Sequence, residues 1–239
     1  TKARRMGWKI TPRQLFEQQT IAALAQVAEV VSESLVEESQ PENACLEDYL
    51  DAGIMAELPF GNSQIEDIYP LSPTQEGMLF HTLAAPGTGL YVNQMSVAVE
   101  GLDAERLAHA WQQMVIRHPV LRTGFLWQAG LVHPLQIVFK QVEATVTYMD
   151  WRGNHHLEEC IVAYADEELR REFDFLNPPI RLSLIRIDEN RHQLVWTKHH
   201  ILLDGWGDSM LISDWLRCYN GETLAQPGPD YSVYVRWLA

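Results

Sequence analysis

The chain has 239 residues, 46% of them hydrophobic and 21% charged, with a formal net charge of −14. That apolar content supplies a sizeable core and excludes wholesale disorder. The acidic balance argues against nucleic acid or an anionic membrane surface as partner, and no apolar run reaches transmembrane length. Three scattered cysteines (Cys45, Cys160, Cys218) suit the reduced thiols of a cytoplasmic protein. The basic stretch Thr1 to Trp8 has no apolar h-region behind it and does not read as a signal peptide. It also lacks an initiator Met, so the sequence reads as a piece of something longer.

Residues 1–38 read as helical. Thr11-Pro12 has the form of an N-cap followed by proline at the first helical position. Ile21, Leu24, Ala25, Ala28, Val31 and Leu35 recur at three- and four-residue spacing. Residues 39–64 are acidic, punctuated by Pro and Gly, and read as a linker with a short helix around Leu46 to Leu58. From residue 65 the elements alternate. Ser72-Pro73-Thr74-Gln75 has capping-box form and opens a helix through Met78, Leu79 and Leu83. A strand is expected over Val92 to Val99. An amphipathic helix follows from Ala104 to Arg117, with Leu107, Trp111, Met114 and Val115 inward. Strands follow near Leu121 to Gln128, Val132 to Val142 and Thr145 to Met149, then a helix near His156 to Glu172. Two further strands, Ile180 to Ile187 and Gln193 to His199, lead into a helix with Leu211, Trp215 and Cys218 on one side. The class is α+β with a mixed or antiparallel sheet.

The most telling string is His199-His200-Ile201-Leu202-Leu203-Asp204-Gly205-Trp206. Imidazole takes and returns protons near neutrality, and an Asp-Gly turn can present backbone N–H groups or a fixed carboxylate beside it. The arrangement suits acyl transfer. Successive strand side chains point to opposite faces, so one histidine belongs to structure and the other to a cavity. The same divergence, with scattered cysteines and no HExxH string, argues against a metal site.

Four ordered motifs carry a resemblance. They are Tyr69-Pro70-Leu71-Ser72-Pro73-Thr74-Gln75-Glu76-Gly77-Met78-Leu79-Phe80-His81, Arg117-His118-Pro119-Val120-Leu121-Arg122-Thr123-Gly124-Phe125, the HHxxxDG string from His199 to Gly205, and Tyr231-Ser232-Val233-Tyr234-Val235-Arg236-Trp237-Leu238. Residues 65–239 thereby resemble the condensation domains of nonribosomal peptide synthetases, of the chloramphenicol-acetyltransferase-like superfamily. Gly7 to Glu17 with Thr20 to Ala25 resembles the C-terminal helices of a peptidyl carrier domain. The attachment motif for phosphopantetheine has no counterpart in this sequence.

The resemblance implies an α/β-sandwich lobe, the N-terminal one of two, with a short helical appendage. It implies amide formation between an upstream carrier-bound acyl or peptidyl thioester and the amine of a downstream aminoacyl thioester. The partners it implies are the two carrier domains, an adenylation domain and a C-terminal lobe. Phosphopantetheine would arrive on the carriers, and the domain itself would hold no cofactor or metal. His200 is the implied catalytic histidine, as base or as positioning group. Gly205 is a candidate oxyanion donor, or simply a turn glycine.

His199 is assigned to structure, Trp206 to tunnel-wall packing, and Asp204 to an ion pair with Arg122 or Arg117, unless its arginine lies in the second lobe. His81 and His118 are expected to pack within helices, and His155 and His156 to face solvent. Gly207 stands where many members of the family carry serine. Histidines at 199 and 200 exclude a cyclisation domain, and the form of the first motif points away from epimerisation. Two other functions fit the same residues: acyl transfer from free coenzyme A thioesters, and a non-catalytic carrier-docking module.

Overall fold

The computed structural model describes residues 8–9, 18, 20–30, 49–50, 52–127, 131 and 133–238. The chain divides into two compact units, Thr1–Glu42 and Asn43–Ala239. In the first, β1 (Trp8–Lys9) pairs antiparallel with β2 (Glu29–Val30) around α1 (Ile21–Val27). The Thr20 hydroxyl caps α1 by accepting from Ala23 N. The all-helical expectation for this stretch is therefore corrected. Ala28 turns extended, with φ −69° and ψ 129°, and ends the helix, and ladder pairing overrides the continuing apolar spacing. Thr11-Pro12, Val31 and Leu35 lie outside the described residues.

The second unit carries two sheets. β3 (Ile65–Pro70), β6 (Leu135–Phe139) and β5 (Thr123–Leu126) form an antiparallel sheet in that order. β4 (Val92–Glu100), β9 (Arg191–His199), β8 (Ile180–Asp188) and β7 (Val146–Asp150) form a four-stranded sheet, antiparallel except for the β7–β8 pair. Strand β3, which opens the first motif, had no counterpart among the expected strands. The short linker helix is α2 (Ala52–Glu57). Among the described residues no helix is long and apolar enough to cross a membrane.

Helices α4 (Ala104–Arg117) and α6 (Gly205–Tyr219) cover one face of the larger sheet. Leu107, Trp111 and Met114 of α4, Leu211 and Trp215 of α6, and Leu182, Leu184, Leu194 and Trp196 of the sheet form one core cluster. The inward residues expected for α4 are those buried. Complete burial of each large side chain contributes roughly 1.5–3 kcal/mol. α5 (Leu157–Arg170) lies on the opposite face, where Tyr164 Oη meets Ser183 Oγ at 2.8 Å and Gln94 Nε2 donates to Ala165 O. Covered on both sides, β9 is buried from His192 to His199.

Two local contacts place the motifs. In α3 (Pro73–Ala84) the capping box closes as expected, Ser72 N donating to Gln75 Oε1 at 3.0 Å and Gln75 N to Ser72 Oγ. Gly124 lies against the Phe175–Leu176 backbone. A Cβ at residue 124 would stand 2.6 Å from Leu176 O, and Phe125 N donates to Phe175 O beside it. Glycine is needed there for close approach.

Candidate active site

The end of β9 separates the two histidines, His199 being its last residue and His200 the first of the turn that follows. Leu194, Trp196 and Lys198 face α4 and α6, while Val195, Thr197 and His199 face α5 and α3. His199 is wholly buried. Its Nε2 lies 2.8 Å from Thr82 Oγ1, its Nδ1 accepts from Ile201 N at 3.1 Å, and its ring meets Phe175 edge-on. Burial lowers its pKa to about 4, with the charges of His200 and Lys198 acting in the same direction. The imidazole is held neutral with both ring nitrogens engaged.

The chain then leaves the strand. His200 N donates to Tyr91 O at 2.7 Å, and Tyr91 holds a left-handed backbone, φ 58°. Ile201 and Leu202 plunge into a cluster with Leu71, Leu79, Phe125 and Phe175, which ties down the segment after His200. The His200 ring, half-buried, lines a cavity of about 1040 Å³ together with Gln75, Met78, His81, Tyr91, Asp204 and Tyr234. Its Nδ1 is enclosed and has no hydrogen-bond partner within the described residues. His199 thus has both ring nitrogens engaged, while His200 lines the cavity.

Asp204 is exposed and caps α6, its Oδ1 accepting from Gly207 N at 2.7 Å. The expected pairing of Asp204 with Arg122 or Arg117 is corrected. Arg122 is buried elsewhere, donating to Glu66 Oε2 at 2.5 Å, to Val115 O at 3.1 Å and to Phe139 O. It therefore anchors the smaller sheet rather than the HHxxxDG turn. Arg117 lies 3.5 Å from Asp214 and donates to Ala225 O. The Asp-Gly turn delivers Asp204 to the helix start, where a short carboxylate satisfies a free N–H. Trp206 is 83% exposed and is not wall packing among the described residues. Gly205 takes the first position of α6 beside the cavity-lining Asp204, with open space where a Cβ would stand.

His81 is corrected as well, being an exposed cavity residue rather than helix packing. His118 ends α4, half-buried, with Nε2 3.6 Å from Asp214. Burial and Arg117 lower its pKa against the pull of Asp214. His155 and His156 are exposed, as expected.

Sequence reasoning missed two polar anchors. Gln75 was legible only as a cap, yet its Nε2 also donates to Ile201 O and to Gln136 Oε1. Lys198 is 2% exposed and reaches Leu203 O and Asp208. Its position on the α6 side of β9 was the available signal. Among the described residues no cluster of three metal-ligating side chains occurs.

The family model for the condensation domain matches residues 65–239. The chain belongs to the condensation-domain family. It is 36% identical to a linear gramicidin synthase of Brevibacillus parabrevis over 98% of this chain and 5% of that protein. It is 33% identical to bacitracin synthase 3 of Bacillus licheniformis over 74% of this chain and 3% of that protein. This condensation-domain chain thus spans a twentieth or less of the length of those two relatives. In structure it resembles the condensation domain of the monacolin K polyketide synthase MokA, with a TM-score of 0.62 over 73% of this chain and 39% of that one. At 21% identity, that likeness supports the shared fold, consistent with the expected α+β class. The EpoB cyclization-docking bidomain of Sorangium cellulosum aligns at 25% identity and a TM-score of 0.61, over 72% of this chain and 35% of that one.

Proposed function

We propose that this condensation domain joins an upstream carrier-bound acyl or peptidyl thioester to the amine of a downstream carrier-bound aminoacyl thioester, with His200 acting on the attacking amine. The observation that carries the reading is the asymmetry of the two histidines. His199 has both ring nitrogens engaged, whereas His200 lines the cavity with Nδ1 unpartnered among the described residues.

An amine attacking a thioester must be unprotonated and held in line, and it must lose a proton as the amide forms. The N–C bond forms, the C–S bond breaks, and the upstream carrier departs as a thiolate that takes up a proton. His200 receives the amine proton or holds the amine by a hydrogen bond. Gly205 N–H, at the start of α6, is the candidate donor to the developing oxyanion.

In this reading residues 1–38 are the end of a carrier domain, 39–64 a linker, and 65–239 the N-terminal lobe, which a second lobe completes. The match to the linear gramicidin synthase supports it, because it runs through the N-terminal segment as well. Phosphopantetheine arms would bring both thioesters, and an adenylation domain would load them.

The test is His200→Ala in the complete domain supplied with loaded donor and acceptor carriers. A folded variant should lose about 10²–10⁴-fold in amide formation. Wild-type product from that variant would remove His200 from the chemistry, and product from free coenzyme A thioesters alone would overturn the carrier-dependent reading.

A further inference from the structure

The structure assigns Lys198 and Asp208 as a positioning pair that holds the His200 turn in register with α6, an inference that rests on the function proposed above. Among the described residues the His200 ring gains no hydrogen bond at Nδ1, so its place depends on the backbone to either side. On one side His200 N is tied to Tyr91 O. On the other, Lys198 Nζ lies 3.1 Å from Leu203 O and 2.9 Å from Asp208 Oδ1, spanning the turn from strand to helix.

The location is unusual for a lysine. Its side chain is only 3% exposed, and that of Asp208 is 26% exposed. An ammonium is costly to bury unless it is paired and hydrogen-bonded. The Glu168–Arg181 pair links α5 to β8 elsewhere in the same unit. Lys198 instead precedes the two histidines, and its two acceptors bracket Asp204 and Gly205. A misplacement of about 1 Å in a reacting group can cost on the order of 10²-fold in rate.

The experiment uses the complete synthetase module with both carriers loaded. Lys198→Met and Asp208→Asn should each lower kcat about 10- to 100-fold while KM for both carriers stays within about twofold. The double variant should be little worse than either single, because one contact is shared. Glu168→Gln, which weakens a separate buried pair, should lower the melting temperature without lowering kcat.

If Lys198→Met does not fold, Asp208→Asn carries the test, since Lys198 keeps Leu203 O. Wild-type kcat in a folded Lys198→Met or Asp208→Asn protein overturns the inference. So does an equal kcat loss in Glu168→Gln. A wild-type module that makes no amide overturns the proposed function instead, so the two failures are distinguishable.

Discussion

The hydroxyl of Thr82 donates to Met78 O at 2.9 Å and therefore accepts from Nε2–H of His199, 2.8 Å away. With Ile201 N–H directed at Nδ1, one neutral tautomer satisfies every group in the chain. Removing the hydroxyl in Thr82→Val should leave a buried N–H without an acceptor. The expected loss is about 1–3 kcal/mol. Chemical denaturation of the condensation domain measures it, and an unchanged midpoint would mean that His199 finds another acceptor.

The same geometry sets a pH window. The folded pKa of His199, about 4, lies below the unfolded value of 6.5, so the unfolded chain binds the proton more tightly. The stabilisation is complete above about pH 6.5, is lost as pH falls towards 4, and changes no further below. The amount is about 3 kcal/mol. Unfolding free energies at pH 7 and pH 4.5 should differ by less in His199→Gln than in wild type. Equal differences would place the pH dependence in other groups.

Asp204→Ala should cost only about 1 kcal/mol, the value of an N-cap. Loss of one member of a buried ion pair would cost roughly 3–5 kcal/mol. Thermal unfolding separates the two outcomes, and a loss in the upper range would place an arginine against Asp204 in the complete domain.

Arg122→Met should destabilise more, by about 3 kcal/mol, because Val115 O and Phe139 O lose their donor inside the smaller sheet. Amide formation by the folded fraction should be unchanged. A selective loss of rate at wild-type stability would tie Arg122 to the site.

Gly207→Ser tests the departure from the family's usual serine. Its Cβ would stand 2.9 Å from Leu203 Cδ2, so the leucine side chain must turn aside. The expected cost is about 1 kcal/mol, with Asp204 still capping α6. A crystal structure of the variant with Leu203 unmoved would refute the clash.

Most elements around the site are legible in the sequence because they carry a period or a cap written locally, although strand β3 is not. The Leu107–Trp111–Met114 face and the Ser72–Gln75 box are of this kind, whereas the expected split of His199 from His200 by strand parity gives way to the end of β9 at His199. The sequence did not determine partners. Asp204 was matched to an arginine because charge complementarity is visible along a chain, whereas distance is not. Tertiary structure sent Arg122 to Glu66 and Phe139 O, and left Asp204 to the helix end. It likewise drew Trp8-Lys9 and Glu29-Val30 into a ladder within a stretch that reads as helical. The partners of a buried charge such as Lys198 become legible only when the fold brings Leu203 O and Asp208 to it. Local pattern fixes a residue's direction, but satisfaction of its polar atoms is decided across the fold.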